Sequence, residues 1–306
     1  MEFEVKSPGT RSELLSAIIK TRTGFRFGAG YTDLIPELRK NGSPVRTIIN
    51  LARLNDKRFT AITVTKRGIR IGALVTAARL ADDPTIREYL PVLAQATSDM
   101  ASPQIRQVAT IGGNLCTASP AGDGACALMA LEAECELLNS RNQARTITLA
   151  SFFLGPRKTA LERDELLQSV FVPANSGVRL FSGFIKVGTR RSMECSVVSL
   201  AYHVQTDSSG NVVHSGIAIG SAAPVIRFAH SACSLLLGKN LETMTVQDAG
   251  RFAQNVLEHA SPISDLRASA WYRRQVLFNI SKALFSERQG AAETNGSYEG
   301  KAHELH

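Results

Sequence analysis

The stretch ATIGGNLCTASPAGD, Ala109 to Asp123, decides how this chain is read. It gathers two adjacent glycines, an Asn, a Cys, two Thr, a Ser and an Asp, with almost no bulk. Glycine lets backbone N–H groups face a ligand with no Cβ in the way, and successive N–H groups form a concavity suited to an anion. A second stretch, FGAGYTDL from Phe27 to Leu34, follows a strand-like FRF and precedes a helical pattern. There the positive end of the helix dipole adds to the attraction. Each stretch alone reads equally well as a tight turn with close backbone packing. As a pair they suit the pyrophosphate of a dinucleotide. FGAGYTD begins like GxGxxG but carries Asp33 at the sixth position, and no GxxxxGK[ST] occurs, so neither a Rossmann fingerprint nor a P-loop is present.

The rest of the composition bounds the answer. The chain has 306 residues, 44% hydrophobic and 20% charged, the profile of a globular protein of one large or two modest domains. It shows no apolar run long enough to cross a bilayer, and MEFEVKSPGTR has no signal-peptide core, so the expected location is cytoplasmic with no membrane association. Five scattered cysteines, Cys116, Cys126, Cys135, Cys195 and Cys233, form no CxxC pair and read as reduced, mostly buried small hydrophobes. They cannot build a zinc or iron–sulfur site. A net charge of +8 is spread along the chain in pairs such as Arg190-Arg191, which argues against nucleic-acid binding. The ending HELH lacks the HExxH spacing and belongs to a polar, Gly-rich segment read as a disordered tail.

The pattern alternates helices and strands and implies an α+β architecture. Thr10 to Glu13 has capping-box spacing ahead of the amphipathic LLSAIIK. FTAITVTKRGIRIGAL reads as a hairpin at Lys66-Arg67-Gly68, and ECELLNSRNQARTITL as a second. Thr76 to Met100 is helical with a break at Asp83-Pro84. LLQSVFVP and RLFSGFIKV are strands separated by a turn cluster, Asn175-Ser176-Gly177, where a domain boundary is placed. A long hairpin turns at Asp207 to Asn211, and three helical patterns, RFAHSACSLLL, TVQDAGRFAQNVLEHA and DLRASAWYRRQVLFNISKALF, close the fold.

With these segments in hand, SPQIRQVATIGGNLCTASPAGDGACALMALEAECEL closely resembles the signature of the FAD-binding medium subunits of molybdenum-containing hydroxylases, the xanthine, carbon monoxide and nicotinate dehydrogenase group. FGAGYTDLIPELRK, RTIINLARL, IRIGALVTAARLADDP, FIKVGTRRSMECSVVSLA and ASAWYRRQVL extend the resemblance over most of the chain. It implies a two-part FAD-binding domain of the vanillyl-alcohol-oxidase-like (PCMH) type over 1–175, with subdomains of about 1–55 and 56–175. A smaller α+β C-terminal domain over 176–287 and a tail over 288–306 would follow. It also implies a flavin site. Phe27, Gly28, Ala29, Gly30, Tyr31, Thr32, Asp33 and Leu34 would wrap the FAD diphosphate with backbone amides, and Thr110, Ile111, Gly112, Gly113 and Asn114 would close on it. Asp123 would accept from ribityl or ribose hydroxyls, Leu167 would make an apolar contact, and Lys186 would place a cation near the flavin.

Three positions depart from the family pattern. Tyr31 replaces a usual glycine and would be strained if the position needs positive φ. Glu194 stands for Asp, and Met100 lies where an aromatic can flank the isoalloxazine. The resemblance assigns no catalytic residue and no metal ligand to this chain. It implies partners instead: a small subunit with 2Fe–2S clusters and a large molybdopterin-containing subunit, with FAD passing electrons to NAD+, O2 or a quinone. Two alternatives stay open at this stage, an assembly subunit that has lost FAD and a stand-alone flavin oxidase.

Overall fold

The computed structural model describes residues 3–22, 24–41, 45–175, 177–190 and 194–286. Ser176 of the turn cluster and the tail with HELH lie outside the described residues. The chain opens with strand β1 (Glu4–Lys6), helix α1 (Arg11–Thr21), β2 (Phe25–Gly28), α2 (Leu34–Asn41) and β3 (Thr47–Asn50). Helix α1 starts as its sequence requires: the Thr10 hydroxyl accepts from the Glu13 amide while the Glu13 carboxylate accepts from the Thr10 amide. Strand β3 runs parallel to both neighbours in a sheet of order β1-β3-β2, and the two helices are the crossovers that parallel neighbours need.

After α3 (Lys57–Thr60), β4 (Ile62–Thr65) and β5 (Gly68–Gly72) make the first expected hairpin. The helical region is α4 (Ala77–Asp82), α5 (Pro84–Tyr89) and α6 (Pro91–Ser98), broken at Asp83-Pro84 and again at Pro91. Each proline takes the first helical position, where its missing N–H costs nothing. Then come α7 (Pro103–Val108), α8 (Ile111–Thr117), the wholly buried α9 (Asp123–Ala130) and the second hairpin, β6 (Glu134–Asn139) with β7 (Ala144–Thr148). After α10 (Leu149–Phe152) and the small ribbon of β8 (Phe153–Gly155) with β9 (Lys158–Thr159), β10 (Glu165–Pro173) slots between the two hairpins. The result is an antiparallel sheet of order β4-β5-β10-β6-β7. As its central strand, β10 is almost entirely buried.

A separate sheet follows, β11 (Arg179–Val187), β12 (Val198–Thr206), β13 (Val212–Gly220) and β14 (Arg227–Phe228), antiparallel throughout. Helices α11 (His230–Leu236), α12 (Val246–Glu258) and α13 (Ala270–Ser286) complete it, with Leu200, Ile217 and Ile219 packed against Leu236, Phe252 and Phe285. Ala201 and Ala218 of the same sheet instead join the core around α6, α8 and α9. Two helix boundaries differ from the sequence pattern. Arg227 and Phe228 pair with Ile219 and Ala218 as β14, so the first helix begins at His230. The last begins at Ala270 because the Asp265 carboxylate accepts from the amides of Arg267 and Ala268 and from the Arg273 guanidinium, holding that segment in a turn. No helix among the described residues is long and apolar enough to cross a membrane.

Candidate functional site

The first glycine stretch begins where β2 ends. The Gly28 carbonyl accepts from the Leu51 amide at 2.7 Å, and α2 is anchored by Leu34 and Leu38 packed on Ile48. Between them, the main-chain N–H groups of Gly30, Tyr31, Thr32, Asp33 and Leu34 meet no acceptor among the described residues. Next along the helix are Ile35, whose amide donates to Tyr31, and Pro36, which has no N–H. Tyr31 does take the positive φ, +62°, a conformation costing roughly 1–2 kcal/mol for a side chain with a Cβ. Its ring lies across the bare Cα of Gly28, where a Cβ would stand 2.4 Å from the ring edge. Gly30 has a different neighbour: a Cβ there would come within 2.0 Å of the Val108 carbonyl oxygen. The missing side chain therefore brings this stretch against the segment that leads into Thr110.

The second stretch is built otherwise than its sequence suggests. Ile111, Gly112, Gly113 and Asn114 form the first turn of α8, capped by Thr110, rather than an open turn. Their amides are all taken. Ile111 donates to the Val75 carbonyl at 2.9 Å, Gly112 to Ala73 at 2.8 Å, Gly113 to the Thr110 hydroxyl at 3.1 Å and Asn114 to the Thr110 carbonyl at 3.0 Å. Gly112 is bare because it packs on Ala73, whose Cβ and carbonyl oxygen a new Cβ would meet at 2.6 and 2.7 Å. Gly113 faces open space, with only the Thr110 hydroxyl at 3.0 Å. What remains to donate here is on side chains. The Thr110 hydroxyl accepts one bond and keeps its proton, and Asn114 uses its carbonyl on the Ala125 amide at 3.1 Å and keeps its NH2.

Asp123, the first residue of α9, is nearly sealed, at 4% exposure, and both carboxylate oxygens are engaged. Lys186 Nζ on β11 donates to one at 2.7 Å and the Ser196 hydroxyl to the other at 2.6 Å. Burial pushes the Asp123 carboxyl above the usual carboxylate range, against the pull of Lys186 and Ser196. Lys186 also donates to the Asp99 carbonyl at 3.0 Å, and Gln95 of α6 accepts from the Phe184 amide at 2.8 Å. Ser196, Asp99 and Gln95 carry no local sequence signal, since their partners lie far along the chain. A sugar hydroxyl reaching Asp123 would share oxygens already in use, and Lys186 is half of an ion pair rather than a lone cation.

Leu167 is buried at the bulge of β10, in the core cluster that holds Ile71, Ile111 and Leu115. Phe27 is half-buried and packs edge-on against Phe25, 5.2 Å between ring centres. Met100 lies beside Gly124, where a Cβ would be 3.6 Å from its methyl group. Glu194 accepts from the Thr189 hydroxyl and the Arg190 amide, apart from these groups. The sequence-selected residues thus form one chain of contacts: the first stretch touches the second through Gly30, the second touches α9 through Asn114, and α9 touches β11 through Asp123 and Lys186.

Residues 1–175 match the family model described as the FAD binding domain in molybdopterin dehydrogenase, and residues 184–287 match the CO dehydrogenase flavoprotein C-terminal domain. The chain belongs to this family. Over 267 residues it is 32% identical to the xanthine dehydrogenase FAD-binding subunit of Escherichia coli O157:H7, covering 86% of this chain and 88% of that one. Over 260 residues it is 30% identical to the nicotinate dehydrogenase FAD-subunit of Eubacterium barkeri, covering 84% and 86%. A solved carbon monoxide dehydrogenase from Hydrogenophaga pseudoflava superposes with a TM-score of 0.85 at 26% identity, over 94% of this chain and 98% of that one. The chain is accordingly an FAD-binding oxidoreductase subunit of the molybdenum hydroxylase group, with a fold of matching layout. Its residues fit the cofactor's charge. Five unpartnered main-chain donors beside a helix N-terminus, with the open face of Gly113 nearby, suit a diphosphate.

Proposed function

We propose that this chain is the electron exit of a molybdenum hydroxylase complex, receiving electrons from 2Fe–2S clusters on a small partner subunit and delivering them to NAD+, with O2 or a quinone as the other acceptors. When bound, FAD supplies the step from single-electron delivery to two-electron release. The chain's own residues bind and orient it. The amides of Gly30 to Leu34 receive the diphosphate, and Thr110 and Asn114 add side-chain donors. The Gly113 face leaves room for close approach, and Leu167 backs the site through the core it shares with Ile111. Asp123 and Lys186 fix the C-terminal sheet against the FAD-binding part, which we end at residue 175. The observation that carries this reading is the run of amides with no protein acceptor, because successive free N–H groups at a helix start suit an anion.

An exposed apolar surface supports the presence of a partner. Ile263, Leu266, Trp271 and Tyr272 are all exposed in and after the segment joining α12 to α13, and so large an apolar group on one segment suits an interface. The test is the visible spectrum of the purified chain. An oxidised-flavin spectrum supports the reading, and a colourless chain that takes up no added FAD favours the empty assembly subunit. Anaerobic NADH should bleach the bound flavin if NAD+ is the acceptor, while hydroxylase substrates without partners should not.

A further inference from the structure

We infer that Tyr31 is a side-chain ligand of the cofactor diphosphate, acting as a phenolic donor inside the glycine stretch as well as shaping its main chain. The inference rests on the reading of the site given above. Three observations on this one residue carry it. First, its backbone sits at φ +62°, a region that strains tyrosine, and a left-handed residue within a turn directs successive N–H groups to one side, as in anion-binding nests. The strain is therefore held where it opens the amides of Gly30 to Leu34.

Second, the ring folds back over Gly28 and rests near Leu34, Leu38 and Ile48, which fixes where the phenol ends. A Cβ on Gly28 would stand 2.6 Å from the Tyr31 hydroxyl oxygen, so that oxygen lies over the bare main chain of the stretch itself. Third, the hydroxyl has no hydrogen-bond partner among the described residues, although the ring is half-buried. The oxygen is not sealed in the core, so it is free to donate to a ligand. Burial also raises its pKa above the usual 10, so it remains a neutral donor at any physiological pH and adds no charge that would repel a phosphate. A donor without an acceptor, in the same stretch as five amides without acceptors, accords with one anion that serves them all.

The experiment uses the full chain stripped of flavin, with FAD and riboflavin as probes and fluorescence quenching as the readout. Tyr31→Phe keeps the ring, so its melting temperature should match the parent. Its Kd for FAD should rise about ten-fold or more, as expected for one hydrogen bond to a charged acceptor, while riboflavin, which has no phosphate, should bind as before. Tyr31→Gly relieves the backbone strain but removes both ring and hydroxyl, and should also bind FAD more weakly. Equal FAD affinity in Tyr31→Phe overturns the inference and leaves FAD binding by the site intact. Tighter FAD binding by Tyr31→Gly also overturns it, showing a tyrosine that is merely endured. Equal weakening of FAD and riboflavin does the same, since the phosphate would then be uninvolved. A parent chain that binds no FAD overturns both this inference and the proposed function.

Discussion

The two glycine stretches look alike as sequence and are opposites as structure. In FGAGYTDL the main chain is left open, with donors from Gly30 to Leu34 unpartnered. In TIGGN every amide from Ile111 to Asn114 is consumed, two by carbonyls of Ala73 and Val75 and two by Thr110. The difference lies in what stands beside each stretch. Thr110 is an N-cap and a neighbouring strand end supplies carbonyls, whereas the first stretch enters its helix with Tyr31 in a left-handed turn and Pro36 already inside. Glycine content therefore marks close backbone approach, and the surrounding acceptors decide whether the amides beside it are left free or consumed by the protein itself.

The largest expected effect separates the two glycines of the second stretch. Gly112→Val drives a branched side chain onto the Ala73 carbonyl, which is main chain and cannot move aside, and should cost about 3 kcal/mol in denaturant unfolding. Stability equal to the parent would mean that the contact with Ala73 is not what keeps residue 112 bare. Gly113→Val meets only one hydroxyl and trades glycine for a better helix former, so stability should change by less than about 1 kcal/mol. Its FAD binding should nevertheless be lost, because the side chain fills the open face. Stoichiometric FAD in a folded Gly113→Val protein would remove the second stretch from the site.

Much of this fold is legible where partners are close in sequence. The box of Thr10 and Glu13, both expected hairpins and the long hairpin at Asp207 to Asn211 depend on contacts within a few residues, and each formed where its residues indicate. The insertion of β10 between β5 and β6 depends on pairings such as Val170 with Ile71 and with Cys135, which no local pattern encodes. The site divides in the same way. That two glycine stretches belong together was readable from composition and family likeness. That one offers its amides and the other hides them was not, because the acceptors Ala73 and Val75 lie far upstream of Ile111. Nor could spacing show that Asp123 and Lys186 neutralise one another across 63 residues.

The smallest effect tests the division most finely, by making one exchange at the threonine of each stretch. Thr110→Val keeps the shape but removes the hydroxyl that caps the Gly113 amide, so stability should fall by about 1 kcal/mol. It also removes a donor that the second stretch can present only through a side chain, so FAD affinity should weaken several-fold, within the range of a single hydrogen bond. Thr110→Ser preserves both functions and should behave as the parent does. Thr32→Val belongs to the stretch whose main chain donates, and the hydroxyl it loses has no partner among the described residues. It should leave unfolding and FAD affinity nearly unchanged, with both measured by the same titrations. If Thr32→Val weakens FAD as much as Thr110→Val does, the Thr32 hydroxyl also binds the cofactor and the contrast between the two threonines fails.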